Sequence, residues 1–573
     1  MSRLQGTARL IRTLAHLQPS QLLGKGFETV TDILEPPLAE PLGALYARMA
    51  SGAKMRSPRD NPALLELAAL GDALADPAEQ QEIANAFAQG WRRAVGQSQR
   101  IAEPWQPKAD WKTQGSALFR YVLHYGGDVA AAARQAWQTQ DVRLGDLARM
   151  RMIDWTQQVP IGMPAGWRPF PVAMRAAQWG RALHWLDRAG QLPSADAGIL
   201  ARSLAAQGWY LRSHLEFALG ANHLLRDYVG LLLLGAQLEG PAAKHLYAAG
   251  AAGLERELSR QWLGDGGHEE RCPGYHALTL IDLAEARTAA QGALRERLTE
   301  VLQRGSVFLA RLTHPDGTLP RFGDTALDMG PAPRRLLAAL GQGPIPAAAA
   351  VEVFEDSGFA VISSASQHLV IDVGPLGPDH QCGHAHADIG AFEWSVQGQR
   401  LIVDPGVPGY EGDLQRPFAR SAQAHNVAVA DGRDHAEFWG AFRLGWRPKV
   451  QRILQRSGEE LNVQLAWTDD FRKPHLKMQR SMWAQPGLLQ VKDRAQGASG
   501  LEVRLTLHPD ARIEPDATGW ILQRGSGVLR LEVQGAQVSL ESAQVWETMG
   551  PGRPAPCAVL RGGDRLAWSL RSL

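Results

Sequence analysis

The stretch QCGHAHADIGAF, residues 381–392, sets two imidazoles and a carboxylate at alternate positions: His384, His386 and Asp388. In an extended chain, residues two apart point to the same side, so the three can line one face. Imidazoles pass protons near neutral pH and, when neutral, bind metals. The following segment, GAFEWSVQGQRLIVDPG, reads as a hairpin with QGQ at its turn, and it returns Asp404 toward His386. His425 precedes another strand in SAQAHNVAVADG. His386, Asp404 and His425 together form a reasonable zinc shell, with water or another donor as the fourth ligand. A hydrogen-bonded polar cluster at strand ends is the other reading of the same residues.

Two further segments carry polar groups into apolar surroundings. ALGANHLLRDYVG starts a helix with Asn222 at a good N-cap position and His223 beside it. GDGGHEERCPGYH (264–276) is a Gly-rich loop with His268, Glu269, Glu270, Arg271, Tyr275 and His276. Such loops often line sites, and a solvated turn is the plain alternative. RFGDT (321–325) offers an Arg–Asp pair that reads as structural.

The elements that must position these groups change type near residue 345. Before it, apolar residues recur at helical spacing, as in residues 195–219, 222–238, 242–263 and 277–314. LGQGPIPAAAA (340–350) reads as a linker. After it, GFAVISS, HLVIDVG, LNVQLAW, LEVRLTLHP, GVLRLEVQG and RLAWSL alternate or run apolar between Gly, Asp and Pro turns. Many short strands without helices between them predict an antiparallel sandwich. The expected organisation is an N-terminal helical arm over 1–100, an all-α domain over 101–345 and a β-domain over 351–573.

The chain has 573 residues, 45% hydrophobic and 21% charged, with a formal net charge of +1. Such a balance argues against a nucleic-acid binder that relies on an overall positive field. Three widely spaced cysteines, Cys272, Cys382 and Cys557, form neither a disulfide framework nor a cysteine zinc site. The start has no uninterrupted apolar stretch of the secretory type, and no run is long enough for a membrane span. A cytoplasmic location is expected, with the periplasm as the alternative.

Taken together, LFRYVLHY (118–125), NHLL (222–225), DGGHEERCPGYH (265–276), GHAHAD (383–388), LIVDPG (401–406), RPFARSAQAHN (416–426) and DGRDHAEFWGAF (431–442) resemble the heparinase II/III family of polysaccharide lyases and related alginate lyases. The resemblance covers roughly residues 115–445. It implies an incomplete (α/α) toroid followed by an antiparallel β-sandwich, with the substrate cleft between them. It also implies roles. Asn222 and His223 match the pair at the uronate carboxylate, Tyr275 the catalytic tyrosine and His384 the catalytic histidine. His386, Asp404 and His425 match the ligands of a bound zinc ion, expected to be structural. Arg271, Tyr410, Arg420 and Trp439 fall at substrate-side positions. Gly274 departs from the larger residue familiar before the tyrosine.

The activity so implied is β-elimination at a uronic acid of an acidic polysaccharide, heparan-sulfate-like or from a bacterial surface. The carboxylate is neutralised, a base takes the C5 proton, and an acid protonates the leaving O4. A non-catalytic glycan-binding or polysaccharide-assembly protein on the same fold is the alternative. A glycoside hydrolase would need a carboxylate pair flanking the bond. Glu269 and Glu270 are too close in sequence to flank one bond, which leaves Asp324 and Asp388.

Overall fold

The computed structural model describes residues 3–94, 96–342, 350–413 and 415–573. Of the expected linker, residues 343–349 lie outside the described residues. The fold is an incomplete (α/α) toroid followed by an antiparallel β-sandwich.

The Ala221–Gln237 helix is the hub of the α-domain. Its run YVGLLLLG is buried on every side, the pattern of a helix surrounded by others. It packs against the Pro169–Arg188, Gly240–Gln261 and Pro273–Ala289 helices. Glycine makes one of these approaches close: a Cβ on Gly250 would meet the Leu232 backbone nitrogen at 2.5 Å. The segment expected to be helical over 277–314 is two helices, Pro273–Ala289 and Gly292–Leu312.

Two expectations need correction. Asn222 is not the N-cap of the hub helix: Gly220 takes that position, with φ 67°, and Asn222 sits in the first turn. Nor is the whole of residues 1–100 an arm. Tyr46, Leu64, Leu67 and Phe87 join the same core as the toroid helices. Among the described residues, the Arg3–Leu14 helix, most of the Pro19–Met49 helix and the Trp91–Ala94 and Gln97–Arg100 strands contribute nothing to that core.

In the β-domain every named strand pairs antiparallel. A five-stranded sheet runs in chain order through Val351–Phe354, Phe359–Ser364, Gln367–Asp372, Phe392–Val396 and Gln399–Ile402. Four- and eight-stranded sheets share its apolar core. The expected hairpin forms. Gln397 and Gly398, at φ 51° and 73°, supply the two left-handed residues that a tight hairpin turn needs. Residues 381–390, between two strands, are turns and irregular chain rather than strand.

Candidate active site

Both domains contribute side chains to one buried cluster. Tyr275 is in the first turn of the Pro273–Ala289 helix. The Gly274 N–H donates to Thr325 Oγ1 at 2.9 Å, and a Cβ on Gly274 would meet Met329 Sδ at 3.1 Å and Thr325 Cα at 3.2 Å. That tight seat accounts for glycine at this position. The Tyr275 ring stacks on the His384 imidazole, with centroids 3.6 Å apart and planes at 22°. Its hydroxyl lies 2.9 Å from the Tyr410 hydroxyl. Burial, followed by the neighbouring Tyr410 and Asp324, pushes the Tyr275 phenol well above its ordinary pKa of 10.0. Burial does the same to Tyr410. Both phenols are therefore protonated at neutral pH and can serve as donors.

His384 and His386 divide one carboxylate between them. His384 Nδ1 is 2.9 Å from Asp324 Oδ2, and His386 Nε2 is 2.8 Å from Asp324 Oδ1. Arg416, on the short Gln415–Ala419 helix, clamps Asp324 through both terminal nitrogens, with Nη2 at 2.7 Å from Oδ2. Burial alone would raise the Asp324 pKa, but the Arg416 charge and the two histidine hydrogen bonds outweigh it and hold Asp324 well below 3.8. An ionised carboxylate only accepts hydrogen bonds. His384 therefore carries a proton on Nδ1, toward Asp324, and turns Nε2 outward. That nitrogen is 3.5 Å from Glu270 Oε2, an oxygen without a hydrogen-bond partner.

Glu270 links this cluster to the hub helix. Its Oε1 accepts the Asn222 backbone N–H at 3.0 Å. The Asn222 Oδ1 is buried and unpartnered. Helix N-termini favour negative charge, and here the Glu270 carboxylate supplies it. His223 Nδ1 meets Glu216 Oε2 at 3.1 Å. Burial would lower the His223 pKa, but the Glu216 carboxylate overrides it and raises it.

The other substrate-side candidates point elsewhere. Arg420 is fully buried and donates to the carbonyls of Ala385, Ala441 and Cys382, so it braces the loop that carries His384. Burial pulls its pKa to about 9. Arg271, at φ 52°, donates to the Asp356 carbonyl at 3.1 Å. Trp439 donates through Nε1 to Thr13 Oγ1 at 3.1 Å, with Arg443 over its ring.

Of the expected zinc trio, His425 meets both Asp404 and the His386 ring. His425 Nδ1 is 2.7 Å from Asp404 Oδ2, and the two imidazole centroids are 5.2 Å apart. His386 Nδ1 is buried without a partner, and burial holds this imidazole neutral, at a pKa of about 3. An orphaned neutral nitrogen near a second imidazole is the chemistry of a metal ligand, but the Asp404 carboxylate is engaged by His425. Among the described residues, no three such side chains already converge on one point as metal ligands. Asp388 does not join the row of histidines; its Oδ2 accepts the Gly323 N–H at 3.2 Å.

Arg416 and Glu216 are residues that sequence reasoning left without a role, and it did not place Asp324 or Glu270 beside His384. RFGDT suggested Arg321 as the partner of Asp324. Arg321 instead donates to the Asp404 carbonyl at 3.0 Å, and Asp324 finds Arg416 from the other domain.

Two family models match the chain: Heparinase II/III N-terminus over residues 127–333, and Heparinase II/III-like, C-terminal, over residues 346–562. A relative from Caulobacter vibrioides, FtsZ-localized protein C, is 29% identical over 457 residues, covering 70% of this chain and 76% of the relative. The crystal structure of heparinase III superposes with a TM-score of 0.72 at 15% identity, covering 97% of this chain and 92% of that one. A heparan sulfate lyase HepC mutant from Pedobacter heparinus superposes at 0.62 with 19% identity, covering 93% and 88%. At such identities the two structures speak for the fold.

Proposed function

Because the chain belongs to the heparinase II/III-like family of polysaccharide lyases, we propose that it cleaves a uronic-acid-containing polysaccharide by β-elimination. The reading takes the substrate to be heparan-sulfate-like or a bacterial surface polymer. The observation that supports it most is the stack of Tyr275 on His384, with a protonated phenol on one side and an Asp324-oriented imidazole on the other.

In this reading the uronate carboxylate lies at the corner formed by the Asn222 amide and His223. Hydrogen bonds there strengthen as the enolate-like charge develops. His384 Nε2 takes the C5 proton, and the C5–H electrons form the C4=C5 double bond. The C4–O4 bond breaks with its electron pair on oxygen, and Tyr275 Oη supplies the proton. Glu270, 3.5 Å from Nε2, stabilises the imidazolium so formed. Asp324 is held ionised with both oxygens occupied, which disfavours it as the proton donor of a hydrolase. A zinc ion held by His386, Asp404 and His425 would supply a fixed charge that anchors the His384 loop.

The burial of Tyr275 and His384, each 8% exposed, is the observation that favours a second reading: a glycan-binding or polysaccharide-assembly protein without turnover. The test is the ultraviolet absorbance of the unsaturated uronate across heparan sulfate, hyaluronan, alginate and the host's exopolysaccharide. Absorbance should rise on one of them, and Tyr275→Phe and His384→Ala should each lower the rate about 10²–10⁴-fold. A flat trace with glycan binding intact by calorimetry would establish the second reading. New reducing ends without absorbance would indicate hydrolysis.

A further inference from the structure

The first two helices bridge the two domains. The Arg3–Leu14 helix lies on the β-domain, where Glu437 accepts from Arg9 Nε and from Arg12 Nε, each at 2.9 Å. The Arg12 guanidinium also sits over the Phe471 ring, 4.2 Å from its centroid. Thr13 Oγ1 accepts the Trp439 Nε1–H, so this helix occupies a position expected to face substrate. The Pro19–Met49 helix lies on the toroid. Asp32 pairs with Arg168 at 2.8 Å, Glu35 with His214 at 2.6 Å, and the Tyr46 hydroxyl meets Ser213 Oγ at 2.9 Å. Residues 15–18 join the two helices.

They cross the join of the domains at the site. Gln21 is buried and donates through Nε2 to the His380 carbonyl at 3.0 Å, four residues before His384. A Cβ on Gly220, the N-cap of the hub helix, would lie 3.8 Å from the same nitrogen. One side chain thus spans from the His384 loop to the helix that carries Asn222. The β-domain segment that grips the first helix, residues 437–446, also carries Phe442. Its ring stands edge-on to the His384 imidazole, with centroids 6.2 Å apart. Behind this cover Tyr275 and His384 are buried, which shuts out a polymer chain.

The two ends of the cover differ in strength. Tyr46 anchors the second helix in the toroid core. Among the described residues, none of the first helix joins an apolar core, and its ion pairs run to a single carboxylate. Ion pairs near the surface are weak and screened by salt, and a segment held by them opens first. We propose that the N-terminal helix pair is an autoinhibitory strap: it closes the cleft over Tyr275 and His384, and the site opens when the Arg3–Leu14 helix leaves Glu437 and swings about residues 15–18. An acidic polysaccharide competes with Glu437 for Arg9 and Arg12, so the substrate's own charge lifts the strap. That last step rests on the lyase reading, and the closure does not.

The experiment is carbethoxylation of the full chain by diethyl pyrocarbonate, with His384 followed by peptide mass spectrometry. Glu437→Gln frees Arg9 and Arg12 and leaves Tyr275, His384 and their partners in place. His384 should be modified about tenfold faster in this variant, and in the unsubstituted protein its rate should rise with salt. The double variant Arg9→Gln, Arg12→Gln, changed only on the first helix, repeats the test should Glu437→Gln misfold by circular dichroism. Equal rates in the unsubstituted protein and the folded variants overturn the strap. Unsaturated-uronate absorbance is read on the same proteins. Faster carbethoxylation beside flat absorbance would sink the lyase reading and keep the strap. Equal carbethoxylation beside rising absorbance would sink the strap and keep the lyase.

Discussion

Asp324 receives three side chains from the other domain: His384, His386 and Arg416. Asp324→Asn removes the ionised acceptor, so His384 loses the partner that fixes its Nδ1 proton and aims Nε2. It also leaves Arg416 buried beside a neutral amide, which costs about 3–5 kcal/mol. We expect kcat to fall about 10²–10⁴-fold with KM little changed, and the urea midpoint to drop. Unchanged kcat in a folded variant would remove Asp324 from the site. In the sequence this residue was only half legible. Its type was visible, but its neighbour Arg321 was a false partner and Arg416 lies 92 positions away. Motifs report what lies close along the chain, and this pairing exists only after two domains meet. Tyr275 and His384 sit in two motifs, GYH and HAHAD, that could be singled out separately along the chain, but their stacking could not.

Strands were the most readable elements, since alternation of apolar and polar residues states which face is buried. The first hundred residues were the least readable. Pro36, Pro37 and Pro41 lie inside the Pro19–Met49 helix, where proline ordinarily argues for a break, and its apolar stripe faces outward. The His384 loop is a different case. It has no strand of its own, so side chains must fix it. Arg420 braces three carbonyls of the surrounding chain, and Asp324 takes both histidines. If zinc also anchors it, purified protein should contain about one equivalent of zinc. Chelation should then lower the thermal midpoint, and His386→Ala should abolish the metal content. Metal-free protein whose midpoint is indifferent to both zinc and chelator would leave the trio as a hydrogen-bonded cluster.

At the scale of the molecule, burial creates a dependence on pH. Burial depresses His124 to about 3, and His276, His368 and His435 to about 4, from an ordinary 6.5. The unfolded chain binds these protons first, so stability is full above about pH 6.5. It falls by about 1.4 kcal/mol per histidine per pH unit below that. Glu269, raised to about 7, and Asp282, raised to about 6, work the other way, since they favour the folded state while protonated. His386, at about 3, and His508, at about 4, add to the first set, and Asp388, raised to about 6, to the second, so six groups against three predict a urea midpoint that declines from about pH 7 to pH 5. A midpoint flat over that range would contradict the prediction.

The site is also a seam. Asn222, Tyr275 and Glu270 stand on one side of it, and His384, Tyr410 and Arg416 on the other. A relative slip of about 1 Å between the halves is enough to cost a well-aligned reaction about a hundredfold. Under the proposed lyase reading, turnover is thus a gauge of how squarely the two halves meet. Substitutions far from any sugar, along the buried join, should register in turnover before they register in binding.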